Sequence, residues 1–180
     1  MKTKNLKLSV AYWMCWFLSL SSFFMSGVLF LSAIFLSFDS DLYNSVELVP
    51  LGAKYYFVEE NMQGTPIADL QPWNFWWLFF QNIVGFAVLG LIFLFSRRIV
   101  HLVQRGKMFS SEQIKWFNGI GIGFLILAAI TFFGPDFTEE TRRATFSFNV
   151  KFIFAALFSF ILAEIFQEGN RLNEESKLTV

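Results

Sequence analysis

The chain holds one cysteine, Cys15, and one histidine, His101. A lone cysteine excludes an internal disulfide, and one cysteine with one histidine cannot assemble a metal cluster of those ligands. Charge is scarce as well. Only 16% of the 180 residues are charged, against about 25% in soluble domains. The formal net charge is zero, so there is no global pull toward nucleic acid, and no direct nucleic-acid partner is expected. Enzyme chemistry needs a nucleophile, an acid–base pair or a metal set converging in a pocket. The sequence offers none, so no catalytic, metal or cofactor-binding residue is assigned and the protein is expected not to be an enzyme.

What the chain has is apolar length. Hydrophobic residues make up 55% of it, 26 of them phenylalanine, and the mean hydropathy is +0.51. No charge falls between Lys7 and Asp39, between Asp69 and Arg97, or between Lys115 and Asp136. A bilayer core about 30 Å thick needs roughly 20 apolar residues as a helix. These gaps therefore hold spans at Val10–Leu36, Phe75–Phe95 and Phe117–Phe133. A fourth span, Phe146–Phe166, contains Lys151 and Glu164. The expected fold is an all-α integral membrane protein, one four-helix bundle over residues 1–180. All six tryptophans lie near proposed span ends, at Trp13, Trp16, Trp73, Trp76, Trp77 and Trp116. Indole rings favour that headgroup level.

Orientation follows from lysine and arginine. The amino terminus, the loop after the second span and the carboxyl tail together carry ten of the 14 cations. The positive-inside rule then places both termini in the cytoplasm. The first apolar run is too long for the h-region of a cleaved signal peptide and ends in no A-x-A pattern, so it is read as a retained span.

The first outer loop, Asp39–Pro72, is acidic. Within it Val46–Val49 and Tyr55–Val58 are β-prone and flank Pro50-Leu51-Gly52-Ala53, a composition suited to a tight turn. A small hairpin and an irregular loop are equal readings. Gly134-Pro135-Asp136 is expected to stop the third helix. On the inner side, Ile99–Val103 should extend the second helix and Gly106 should end it in the left-handed conformation. Ser110 with Gln113 three residues on reads as a capping box. Met108 and Phe109 are expected to pin this corner to the membrane surface.

The loop Gly106-Lys107-Met108-Phe109-Ser110-Ser111-Glu112 and the tail from Ile165-Phe166-Gln167-Glu168-Gly169 to Leu178-Thr179-Val180 resemble an uncharacterised bacterial family of small four-span membrane proteins, domain of unknown function twenty-nine seventy-five. The family pattern has a Gly, a Phe and a polar helix start after the second span. It ends with Phe, Gly, Leu, acidic residues and a terminal Leu-Thr-Val or Leu-Thr-Ile. Members are often encoded beside a small helix-turn-helix regulator, so the resemblance implies a regulatory partnership with a cytoplasmic transcription regulator.

Two inward surfaces are candidates for that contact. One is the basic loop with Arg97, Arg98 and Arg105. The other is the cytoplasmic tail, residues 167–180, with Glu168, Arg171, Leu172, Glu174, Glu175 and Leu178. Among intramembrane polar groups, Gln81 and Asn82 read as inter-helix hydrogen bonders before they read as functional sites. Lys151 and Glu164, about 20 Å apart along one helix, each reach for their own interface. Cys15 reads as packing and His101 as a surface residue. Gly119-x-x-x-Gly123 permits close helix approach, within the bundle or between two copies, so the oligomeric state stays open. A second function class is a small transporter or exporter subunit acting as an oligomer. The absence of carboxylates from the first three spans argues against it.

Overall fold

A computed structural model describes residues 6–38, 46–51, 54–59, 65–66, 72–106, 109–135, 144–146 and 150–178. Four long helices dominate: α1 (Leu6–Phe38), α2 (Pro72–Gln104), α3 (Ser111–Phe132) and α4 (Val150–Leu178). All four are long and apolar enough to cross a bilayer. The chain is a multi-pass membrane protein. Each helix outruns or shifts from its expected span. In α2 the extension takes in Ile99–Val103, as the apolar spacing there implies. α4 begins at Val150 and not at Phe146, which lies in a short strand, and it runs without a break through the tail to Leu178.

Between α1 and α2 the backbone forms β1 (Val46–Leu51), β2 (Lys54–Glu59) and β3 (Thr65–Pro66). β1 lies in the middle and runs antiparallel to both neighbours, with Val46 opposite Glu59 and Leu51 opposite Lys54. Of the two readings of this loop, the hairpin is the one formed. Its turn residues, Gly52 and Ala53, lie outside the described residues. Pro50 lacks an N–H to donate, yet sits here in the central strand; β3 pairs only with Glu47 and Leu48, so it does not call on Pro50. After α3, β4 (Phe133–Pro135) pairs with β5 (Ala144–Phe146). The helix thus stops where Gly134 and Pro135 require; Asp136 is outside the described residues.

The heaviest packing joins sequence neighbours: α1 on α2, α2 on α3, α3 on α4. The α1–α2 seam has a seven-residue repeat of small buried residues, Ser19, Ser26 and Ala33. Ser19 Oγ donates to the Gly90 carbonyl and Ser26 Oγ to the Ile83 carbonyl, each at 3.0 Å. Such bonds contribute about 1 kcal/mol or less apiece in a membrane, but they set the register. Gly90 gives room to the Phe23 ring, 3.0 Å from where a Cβ would stand.

In α3 the three spaced glycines thin the helix on two sides. A Cβ at Gly119 would stand 2.9 Å from the Phe95 ring, and one at Gly123 would stand 2.9 Å from Ile92, both on α2. A Cβ at Gly121 would lie 2.6 Å from the Phe160 ring of α4. The Gly119-x-x-x-Gly123 face is therefore filled from within the chain. Around it Val88, Ile92, Ile99, Ile120 and Leu127 form the buried core, with Phe95, Phe124 and Phe152 packed against them.

Candidate functional site

The start of α1 and the Phe166–Gly169 stretch of α4 meet the α2–α3 corner at one end of the bundle. Gln104 Nε2 donates to the Leu8 carbonyl at 3.0 Å, tying the end of α2 to the start of α1. Phe109 stacks on Phe166 at 5.3 Å between ring centroids, tying the corner to α4.

The corner is built as a sharp reversal. Gly106 donates its N–H to the Val103 carbonyl at 3.0 Å and holds φ at +72°. That is the left-handed conformation expected of it, and a β-branched residue there is penalised. No atom lies within 4 Å of a Cβ at this position, so a substitution would meet only backbone strain. Gly106→Val should lower the thermal midpoint in detergent, corresponding to a loss of about 1–2 kcal/mol. Gly106→Asn, which tolerates this conformation, should lower it less. Equal midpoints for wild type and Gly106→Val would remove the backbone role.

The capping box forms by half. Ser110 N–H donates to Gln113 Oε1 at 3.1 Å, as the motif demands. The reciprocal bond is replaced by Gln113 N–H to the Ser110 carbonyl at 3.0 Å, and Ser110 Oγ and Gln113 Nε2 are buried without a hydrogen-bond partner. Gln113 is wholly buried.

Phe109 is 37% exposed, holds φ at 57° and lays its ring where a Cβ on Gly169 would stand. Phe166 in turn meets Phe117 at 5.1 Å between centroids. The two segments that resemble a known family are thus in direct contact, Phe109 of the loop seated on Phe166 and Gly169 of the tail. Met108 is outside the described residues.

The tail is a helix with an ordered charged stripe. Arg171 Nη2 lies 2.6 Å from Glu168 Oε1 and its Nε lies 3.6 Å from Glu175 Oε1. Asn170 Nδ2 donates to Glu174 Oε1 at 3.0 Å. All are solvent-exposed spacings of three or four residues, worth a few tenths of a kcal/mol each. Leu172 is 55% exposed. Leu178 closes the helix, and its side chain is outside the described set.

Arg97, Arg98 and Arg105 lie instead on the α2 side of this end. Arg97 donates to the Tyr12 hydroxyl, with its guanidinium carbon 4.6 Å from that ring's centroid. His101 is half-buried beside the same ring, at 5.9 Å. Arg98 and Arg105 are exposed.

Within the bundle, Gln81 Nε2 donates to the Ile130 carbonyl at 3.2 Å, an inter-helix bond of the kind expected. Asn82 Nδ2 bonds to Leu78 on its own helix at 2.8 Å. Lys151 and Glu164 are both exposed. Cys15 is half-buried in α1. Sequence reasoning missed Tyr12, Ser19, Ser26 and the burial of Gln113. The seven-residue spacing of small residues in α1 was a usable signal; nothing in the local sequence marks Tyr12 as the partner of Arg97.

A family model described as Protein of unknown function (DUF2975) matches residues 7–180. The chain belongs to this family. Comparison with curated proteins and with solved structures gave no match.

Proposed function

We propose that this is a non-enzymatic protein of the bacterial cytoplasmic membrane, with both termini inside, that acts as a regulatory or sensory partner of a cytoplasmic helix-turn-helix transcription regulator. The observation that carries the reading is the tail. α4 leaves the bundle as a continuous helix whose residues from Glu164 to Leu178 carry four carboxylates against two cations. A preformed helix loses less entropy on docking than a disordered segment. Its acidic stripe suits a basic DNA-binding partner by steering encounter, and Leu172 offers an apolar anchor beside it. The seat of Phe109 on Gly169 fixes the base of this helix to the corner, so a shift among the spans is passed to the exposed part. The regulator itself comes from the genomic association that the family implies.

Copurification from native membranes tests the reading. The full chain should bring down a DNA-binding protein that is released by raised salt, since the contact is charge-steered. Recovery of no DNA-binding protein, or of one equally well from a chain lacking the tail, would set the reading aside. Topology is checked separately. In a Cys15→Ala background, single cysteines at Asn61 and Asn173 should label from opposite faces of intact cells. Labelling of Asn173→Cys from outside would invert the orientation.

A further inference from the structure

The end of the α1–α2 seam carries cations with no carboxylate on either helix. Neither Leu6–Phe38 nor Pro72–Gln104 contains an Asp or Glu. The ion pairs among the described residues lie on α4. Arg97, half-buried, has its guanidinium against Tyr12, a neutral partner. Arg98 on α2 and Arg105, just past its end with its N–H still bonded to the His101 carbonyl at 3.2 Å, are seven residues apart and continue one stripe next to the stripe that faces α1. On α1, Tyr12, seven residues before Ser19, continues the stripe that faces α2, and Trp16, four residues on, begins the stripe beside it. In an antiparallel pair joined at Leu8–Gln104 and Tyr12–Arg97, these two stripes fall on the same side of the seam. Trp13 packs edge-on to Trp16 at 5.6 Å and to Tyr12 at 6.0 Å, forming an aromatic rim. Leu20 and Phe23 continue the α1 stripe deeper and are part-exposed to the lipid.

We propose that this side of the seam is a binding site for the headgroup phosphate of an anionic phospholipid. The chemistry is complementary at each level. The Tyr12 oxygen accepts from Arg97, which leaves its own proton free to donate to a phosphate oxygen. Arg97 keeps further N–H groups, and guanidinium binds phosphate in a two-pronged fashion. Arg98 and Arg105 flank the phosphate, and the tryptophans mark the headgroup depth. Below them the Trp16–Leu20–Phe23 stripe offers an apolar track for an acyl chain. A lipid is favoured over a soluble phosphate because charged and apolar parts of the site are continuous. Basic seams of this kind between spans hold anionic headgroups.

The test uses the full chain in mild detergent, read by native mass spectrometry with added phosphatidylglycerol or, as the zwitterionic comparison, phosphatidylethanolamine of the same acyl chains. Wild type should retain phosphatidylglycerol selectively. Arg98→Gln with Arg105→Gln should weaken retention about fivefold for each cation lost. Lys7→Gln with Lys115→Gln removes the same charge from the same end of the bundle but outside this side of the seam, and should leave retention unchanged. Tyr12→Phe, which deletes only a hydroxyl, should weaken retention with the thermal midpoint of the lipid-free protein little changed. Equal retention of the two lipids, an equal loss in the lysine pair, or equal stabilisation by inorganic phosphate alone would overturn the site.

Discussion

Gly121→Leu should be among the most damaging single substitutions in the bundle. The added side chain enters where the Phe160 ring already stands, 2.6 Å from the position of the first new carbon. Neither backbone can yield freely, because α3 is held from its other side by Phe95 and Ile92 against Gly119 and Gly123. Overpacking of this kind costs about 1–3 kcal/mol, more than the roughly 1 kcal/mol that replacing a helical glycine returns. The thermal midpoint in detergent should fall. Gly85→Leu is the matched comparison, since nothing lies within 4 Å of a Cβ there, and its midpoint should hold or rise. A similar fall at both positions would mean that crowding between α3 and α4 is not the cause.

Deleting Asn170–Val180 should abolish capture of the regulator while leaving the protein inserted and folded. The cut retains Gly169, so Phe109 keeps its seat and Phe166 keeps both ring partners. What is lost is Arg171 with its two ion pairs, Leu172, Glu174 and Glu175. A milder version is Glu174→Lys with Glu175→Lys, which reverses the sign of the outermost stripe and should cut association at low salt more than at high salt. Membrane retention of the regulator by the truncated chain would move the contact to the end of α2 at Arg98 and Arg105.

Three of the four helices were legible because a bilayer demands about 20 uncharged residues, and the gaps from Lys7 to Asp39, from Asp69 to Arg97 and from Lys115 to Asp136 answer that demand directly; the fourth was read from its apolar run despite Lys151 and Glu164. Gly106 was legible for a related reason: a chain reversing within a few residues needs a left-handed position, and glycine fills it at no steric cost. The seat of Phe109 was not. A phenylalanine at positive φ goes against local preference, and its contacts with Phe166 and with Gly169, sixty residues on, are not marked in the local sequence. The helical tail was hidden too, since its pairing of Glu168, Arg171 and Glu175 follows from spacing that also suits a solvated coil. Arg97 could be placed at the cation-rich end of the bundle from its charge, but its partner Tyr12 lies eighty-five residues away and carries no charge to mark it.

The neighbour-to-neighbour packing has a consequence for how the chain is made. α1 can meet α2 through Ser19, Ser26 and Gly90 before α3 has left the ribosome, and each later helix arrives beside a surface already in place. Low separation between contacting segments favours fast closure. Insertion and packing can thus proceed in the order of translation, with α4 and its Gly169 seat arriving last to lock a corner built beforehand.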